Sequence, residues 1–170
     1  MRLIEVPLTP ARVVLPPRGT SLIREGLSRS RMIACFDFVP CNYDVFYRSL
    51  AALSPGTFCE WGSGMAIATG LAELLGFRSH GIERDEALAA ASRQLLAGLG
   101  FQATIETGDY LVLGYRADVY FVYCWPGQME QVKRRFEDIA PDEARLLIGY
   151  GAEDIRCMIR TPDETQPIRT

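Results

Sequence analysis

Two carboxylates and a turn without side-chain bulk are the residues of this sequence best suited to chemistry. Glu60-Trp61-Gly62-Ser63-Gly64-Met65-Ala66 puts an acid two residues ahead of a Gly-x-Gly turn, and Glu83 follows 21 residues beyond Gly62. Glycine at such a turn lets a ligand pass close to the backbone, where a Cβ would collide. In the GxGxxG form the turn serves dinucleotides, with the pyrophosphate held at a helix N-terminus. Here Ile67 takes the last glycine position, and Glu60 would repel a diphosphate while favouring a ligand that carries ammonium and sulfonium charge. That disfavours an NAD(P)-binding oxidoreductase. A second acid about 20 residues after the turn is what an adenosine-binding sheet edge requires, because Glu83 can accept from both ribose hydroxyls. The plain alternative for Glu83 is a solvated acid at a strand end.

The motif resembles the first motif of class I S-adenosylmethionine-dependent methyltransferases, acid-x-Gly-x-Gly-x-Gly, with Ala66 standing at the third glycine. The resemblance is strongest from Thr57 to Tyr150. It implies a Rossmann-like domain that binds S-adenosyl-L-methionine and transfers a methyl group to a small-molecule or protein acceptor. It also implies that Glu60 supports the methionine amino group, that Trp61, Gly62, Ser63, Gly64 and Met65 pass under the cofactor, and that Glu83 holds the ribose. Gly108-Asp109-Tyr110 follows a predicted strand where the family commonly has an acid on the adenine amino group, so Asp109 is expected there, with Tyr110 or Arg84 lining the base. A Gly-Asp turn is the competing reading of that segment.

Acceptor chemistry should lie at Tyr123-Cys124-Trp125-Pro126, where many amino-methylating relatives carry Asp or Asn. Tyr123 and Trp125 are the candidate catalytic residues, because in-line displacement at a sulfonium gains much from orientation without a strong base. The tyrosine and proline there, together with Phe38-Val39-Pro40, are similar to segments of small bacterial protein-lysine methyltransferases. A scaffold that binds the cofactor without transfer activity is the rival reading.

The elements that must position these residues alternate. Asn42 is a suitable N-cap for a helix carrying Val45, Phe46, Leu50 and Leu53. Strands are predicted at 57–61, 79–83, 103–106, 119–124 and 144–150, with helices at 65–75, from Asp85 to Gly98, and at 128–139. Strands alternating with helices predict a doubly wound, three-layer α/β sheet. A sixth strand falls at 155–159, and 161–170 reads as a tail. Because so little chain remains after the fifth strand, the last hairpin must be truncated, replaced by the N-terminal segment, or supplied by a partner such as a second copy in a homodimer. Residues 1–33 hold Pro7, Pro10, Pro16 and Pro17 and read as an extended arm that covers the domain surface or the pocket.

Composition sets the outer bounds. The chain has 170 residues, with 18 Lys and Arg against 21 Asp and Glu, which gives no basic footprint for a nucleic-acid backbone. No apolar run approaches the roughly 20 residues of a spanning helix, and no signal segment is visible, so a cytoplasmic protein off the membrane is expected. Cys35, Cys41, Cys59, Cys124 and Cys157 form no CxxC pair and cannot complete a zinc site with His80, so no metal is expected. His80 reads as a surface residue at a strand start, and the charges from Glu130 to Asp138 as a solvated helix face.

Overall fold

A computed structural model describes residues 2–33, 39–123, 126–151 and 153–161. Seven strands form one sheet: β1 (Arg2–Val6), β2 (Thr57–Trp61), β3 (Arg78–Glu83), β4 (Thr104–Thr107), β5 (Val119–Val122), β6 (Arg145–Tyr150) and β7 (Asp154–Thr161). Their order is β1-β7-β6-β5-β2-β3-β4, parallel from β6 to β4, with β7 antiparallel to both its neighbours. The chain runs outward from β2 through β4 and then returns to the other side of β2 to lay down β5. This reversal opens a crevice at the carboxyl ends of β2 and β5, where ligands of open α/β sheets bind.

Side-chain alternation along the central strands divides the core in two. Phe58, Phe121 and Leu147 join one cluster, while Cys59, Trp61, Tyr120, Val122, Leu146 and Ile148 join the other. The first face is covered by α1 (Pro17–Ser30), α2 (Tyr43–Leu50), α3 (Ile67–Leu74) and α4 (Glu86–Gly98), and the second by α5 (Met129–Ile139) through Val132 and Phe136. Buried on both faces, β5 reads as the continuous apolar run Val-Tyr-Phe-Val. Asn42 and Asp85 cap α2 and α4 by accepting from the N–H groups of Val45 and Leu88.

Three expectations are corrected. The N-terminal 33 residues are not an extended arm: Pro16 and Pro17 stand at a helix start, where a missing N–H costs nothing, and α1 follows with Gly19, Leu22 and Gly26 buried against α3 and α4. The sheet is not truncated: of the three outcomes left open for its last strands, replacement by the N-terminal segment is the one found, with β1 pairing antiparallel with β7 from Arg2↔Thr161 to Val6↔Cys157. No strand has to come from a partner. His80 is not a surface residue: it is buried, stacked on Tyr115 at 4.0 Å between ring centres, with Nδ1 at 2.8 Å from Thr104 Oγ1. The tail from 162 lies outside the described residues, as do Cys35, Phe38 and Cys124. Among the described residues no helix is long and apolar enough to cross a membrane.

Candidate functional site

The glycine turn is bent by backbone conformations that suit residues without a Cβ, with φ of 72° at Gly62 and 52° at Gly64. Its amides are fully engaged by the neighbouring strand. The N–H groups of Gly62 and Ser63 both donate to Ile82 O at 2.9 and 3.0 Å, and Gly64 N–H donates to Glu83 Oε2 at 2.7 Å. Glu83 Oε1 in turn accepts from Asp85 N–H at 2.8 Å, so one carboxylate joins the turn, the end of β3 and the start of α4. Ala66, at the third glycine position, adopts the left-handed conformation with φ of 55° and forms the N-cap of α3 without a side-chain bond.

Glu60 takes over that capping role from the preceding strand. Its Oε2 accepts from both the N–H (2.8 Å) and the hydroxyl (2.5 Å) of Thr69, in the first turn of α3. Burial pushes the Glu60 carboxyl up to about 8, opposed by the two Thr69 donors and reinforced by the nearby charge of Glu83. Half-buried Cys41 and buried Tyr43 stand close by; burial pushes the ionisation of both upward, reinforced by Glu60 at Cys41, and by Cys41 and then Glu60 at Tyr43.

These groups open on a cavity of about 940 Å³ at the crevice between β2 and β5. Of the expected cofactor residues, Glu60, Trp61, Gly62, Ser63, Gly64, Glu83, Arg84, Asp109 and Tyr110 line it, as does Tyr123 of the expected catalytic pair. Met65 does not line it, which is a correction: its side chain is fully buried in the core cluster beneath the helices. Trp125 lies outside the described residues. Trp61 is stacked on Tyr110, with ring centres 5.3 Å apart and planes 7° from parallel. Its Nε1 and the hydroxyl of Ser63 are buried without a hydrogen-bond partner among the described residues. Asp109 Oδ1 accepts from Leu111 N–H at 2.8 Å, the bond expected of the competing turn reading of Gly108-Asp109.

Several residues of the site escaped the sequence. Cys41, Tyr43, Gln128, Met129, Gly149 and Tyr150 also line the cavity. They belong to no motif; the available signal was topological, since strand ends beside a crossover face one crevice. Arg135 was grouped with a solvated helix face, yet its guanidinium reaches the carbonyls of Tyr110, Val112 and Leu113 at 3.2, 2.9 and 2.8 Å and fixes the loop that carries Asp109 and Tyr110. No lining residue among those described precedes Val39, so α1 does not cover the cavity.

No protein-family model matches the chain, and no curated protein matches it in sequence. Solved structures match in shape. An RNA methyltransferase from Salinibacter ruber, crystallised with S-adenosyl-L-homocysteine, aligns over 76% of this chain and 97% of its own length at a TM-score of 0.63 and 19% identity. This is the class I methyltransferase fold. A Podospora anserina methyltransferase bound to S-adenosyl-L-homocysteine has the same fold, aligning over 78% of this chain and 62% of its own at a TM-score of 0.61 and 16% identity. The mitomycin 7-O-methyltransferase MmcR aligns over 62% and 34% of the two chains at a TM-score of 0.53 and 23% identity. The sheet edge beside β7 is filled here by β1, from the N-terminal segment.

Proposed function

We propose that the protein binds S-adenosyl-L-methionine and transfers its methyl group to a small-molecule or protein side-chain acceptor. The observation that carries this reading is the state of the glycine turn. A pyrophosphate needs free amides at the turn and the helix start, whereas the amides of Gly62, Ser63 and Gly64 are bonded to β3 and that of Thr69 to Glu60. What the turn offers instead is a buried carboxylate on each side, the complement of a cation and of a sugar hydroxyl pair. The first three amides and both acids together argue against NAD.

The cofactor, when bound, supplies an electrophilic methyl group on a sulfonium. Glu60 pairs with the ammonium of its amino-acid part. Each Glu83 oxygen accepts one backbone N–H and keeps a second lone pair for a ribose hydroxyl. Asp109 and Tyr110, held by Arg135, line the adenine end. Tyr123 and Tyr150 line the acceptor end, where they exclude water and aim the nucleophile. Arg84 is the one cation among the described lining residues, which supports an acceptor whose reacting end is not flanked by phosphates. The free thiols of Cys41, Cys59 and Cys157 support a reducing, cytoplasmic setting.

Calorimetric titration tests the binding step. S-adenosylmethionine and its demethylated product should bind, NAD should not, and Glu83→Ala should weaken both complexes; tighter binding of NAD overturns the reading. Incubation with methyl-labelled cofactor and cell extract tests transfer. A labelled protein or metabolite is expected, and label that never appears while the cofactor binds favours a scaffold.

A further inference from the structure

Thr69 is the residue that couples the acid of the glycine turn to the helix behind it. It is fully buried in α3, and both of its donors converge on one oxygen of Glu60. The N-cap position, Ala66, has no side chain able to satisfy the first amides of α3, so Glu60 Oε2 fills that place from the end of β2. Glu60 Oε1 makes no hydrogen bond among the described residues, and Glu60 lines the cavity.

We propose that Thr69 is a positioning residue for cofactor binding, whose amide and hydroxyl fix Glu60 Oε2 so that Oε1 is presented as an anion to the ammonium group of the ligand. This rests on the reading of the cavity as an S-adenosylmethionine site. Among the described residues, the groups that act on Glu60 supply no positive charge of their own. Cys41 and Tyr43 approach from the segment that opens α2, Cys59 stands beside it on β2, and Glu83 faces it from β3. The Thr69 donors are therefore what favours the ionised form against burial. Without the hydroxyl, more of the ammonium's binding energy goes into ionising the acid, and affinity falls near neutral pH.

The test compares S-adenosylhomocysteine with methylthioadenosine, which keeps the nucleoside but lacks the amino-acid part. Thr69→Val and Thr69→Ala should bind S-adenosylhomocysteine about tenfold more weakly at pH 7, the loss expected for one hydrogen bond to a charged group. Thr69→Ser should bind it like the parent, and methylthioadenosine should bind all four proteins equally. The pH at which S-adenosylhomocysteine affinity levels off should also move upward in the valine and alanine variants. Serine and alanine differ only by the hydroxyl, so this pair decides the matter even if the valine variant does not fold. Equal weakening of both ligands, or no weakening of either, overturns the role of Thr69. A parent protein that binds neither ligand overturns the cofactor reading itself, and the role of Thr69 with it.

Discussion

Gly64 donates its N–H to Glu83 Oε2 across 2.7 Å, so a residue that lines the cavity also locks the glycine turn. Glu83 is 7% exposed, and its other oxygen accepts from the amide of Asp85, the N-cap of α4. Removing the carboxylate leaves the buried amide of Gly64 and the half-buried amide of Asp85 without these partners. We expect Glu83→Ala to destabilise the free protein by about 2 to 4 kcal/mol, in line with the loss of charge-assisted bonds to buried groups. Urea denaturation of the ligand-free protein measures this. A stability equal to the parent's would mean that Glu83 is only a ligand contact.

Glu60 should trade stability for binding, with a sign that depends on pH. In the folded protein its carboxyl is held neutral up to about 8 by burial, against 4.5 for the free group. The folded state thus keeps a proton that the unfolded chain releases, and this contribution to stability is complete in acid and declines as pH rises through about 8. Glu60→Gln removes the charge yet keeps an acceptor for Thr69. The variant should match the parent near pH 5 and exceed it by about 1 kcal/mol or more at pH 8.5, where the parent holds a buried carboxylate. Thermal melts at the two pH values check this, and the same variant should bind S-adenosylhomocysteine more weakly. A stability difference independent of pH would contradict the account.

Most of the sheet was legible because each central strand faces two cores. The Val-Tyr-Phe-Val run of β5 and the alternation in β2 and β6 leave few other ways to bury those side chains. The helix α1 was obscured because Pro16 and Pro17 signal both an interrupted chain and a helix start, and only packing of Gly19, Leu22 and Gly26 against α3 and α4 distinguishes the two. At the site, Glu60 and Glu83 were found from their spacing to the glycines. The capping of α3 by Glu60 was not, because a strand acid nine residues before Thr69 has no local periodicity in common with it. Met65 was misplaced because a motif names positions along the chain, whereas the side chain there turns away from the crevice into the core.

The integration of α1 into the core can be measured directly. Leu22 is fully buried, and a Cβ added at Gly70 of α3 would strike its side chain. Leu22→Ala should therefore cost about 2 to 5 kcal/mol, the range for truncating a buried leucine. An arm lying loosely on the surface would lose less than about 1 kcal/mol. Because α1 stays clear of the cavity, S-adenosylhomocysteine affinity should be unchanged under conditions where the variant remains folded. Denaturant titration with and without ligand separates the two quantities.

Tyr123 owes its position to the absence of a side chain at Gly149. A Cβ built there would overlap Cδ2 of the tyrosine ring, and both residues line the cavity, at the end proposed for the acceptor. The ring sits at the end of β5 and cannot retreat into the sheet, since Phe121 and Val122 before it are buried. Gly149→Ala must therefore push the ring toward the cavity. The residues proposed to hold the cofactor stand elsewhere on the lining, at the ends of β2 and β3 and in the loop after β4. We expect the variant to bind S-adenosylhomocysteine within about threefold of the parent, while methyl transfer to whatever acceptor the labelling experiment reveals falls by about 100-fold, as misplacement of about 1 Å can do. Overpacking should lower stability by about 1 to 3 kcal/mol. Tyr123→Phe separates shape from chemistry: it keeps the ring and loses the hydroxyl, so transfer that survives in Tyr123→Phe but not in Gly149→Ala assigns the tyrosine a role in shaping the pocket. Transfer lost in both assigns the hydroxyl to the nucleophile, and transfer retained in both removes Tyr123 from the acceptor site.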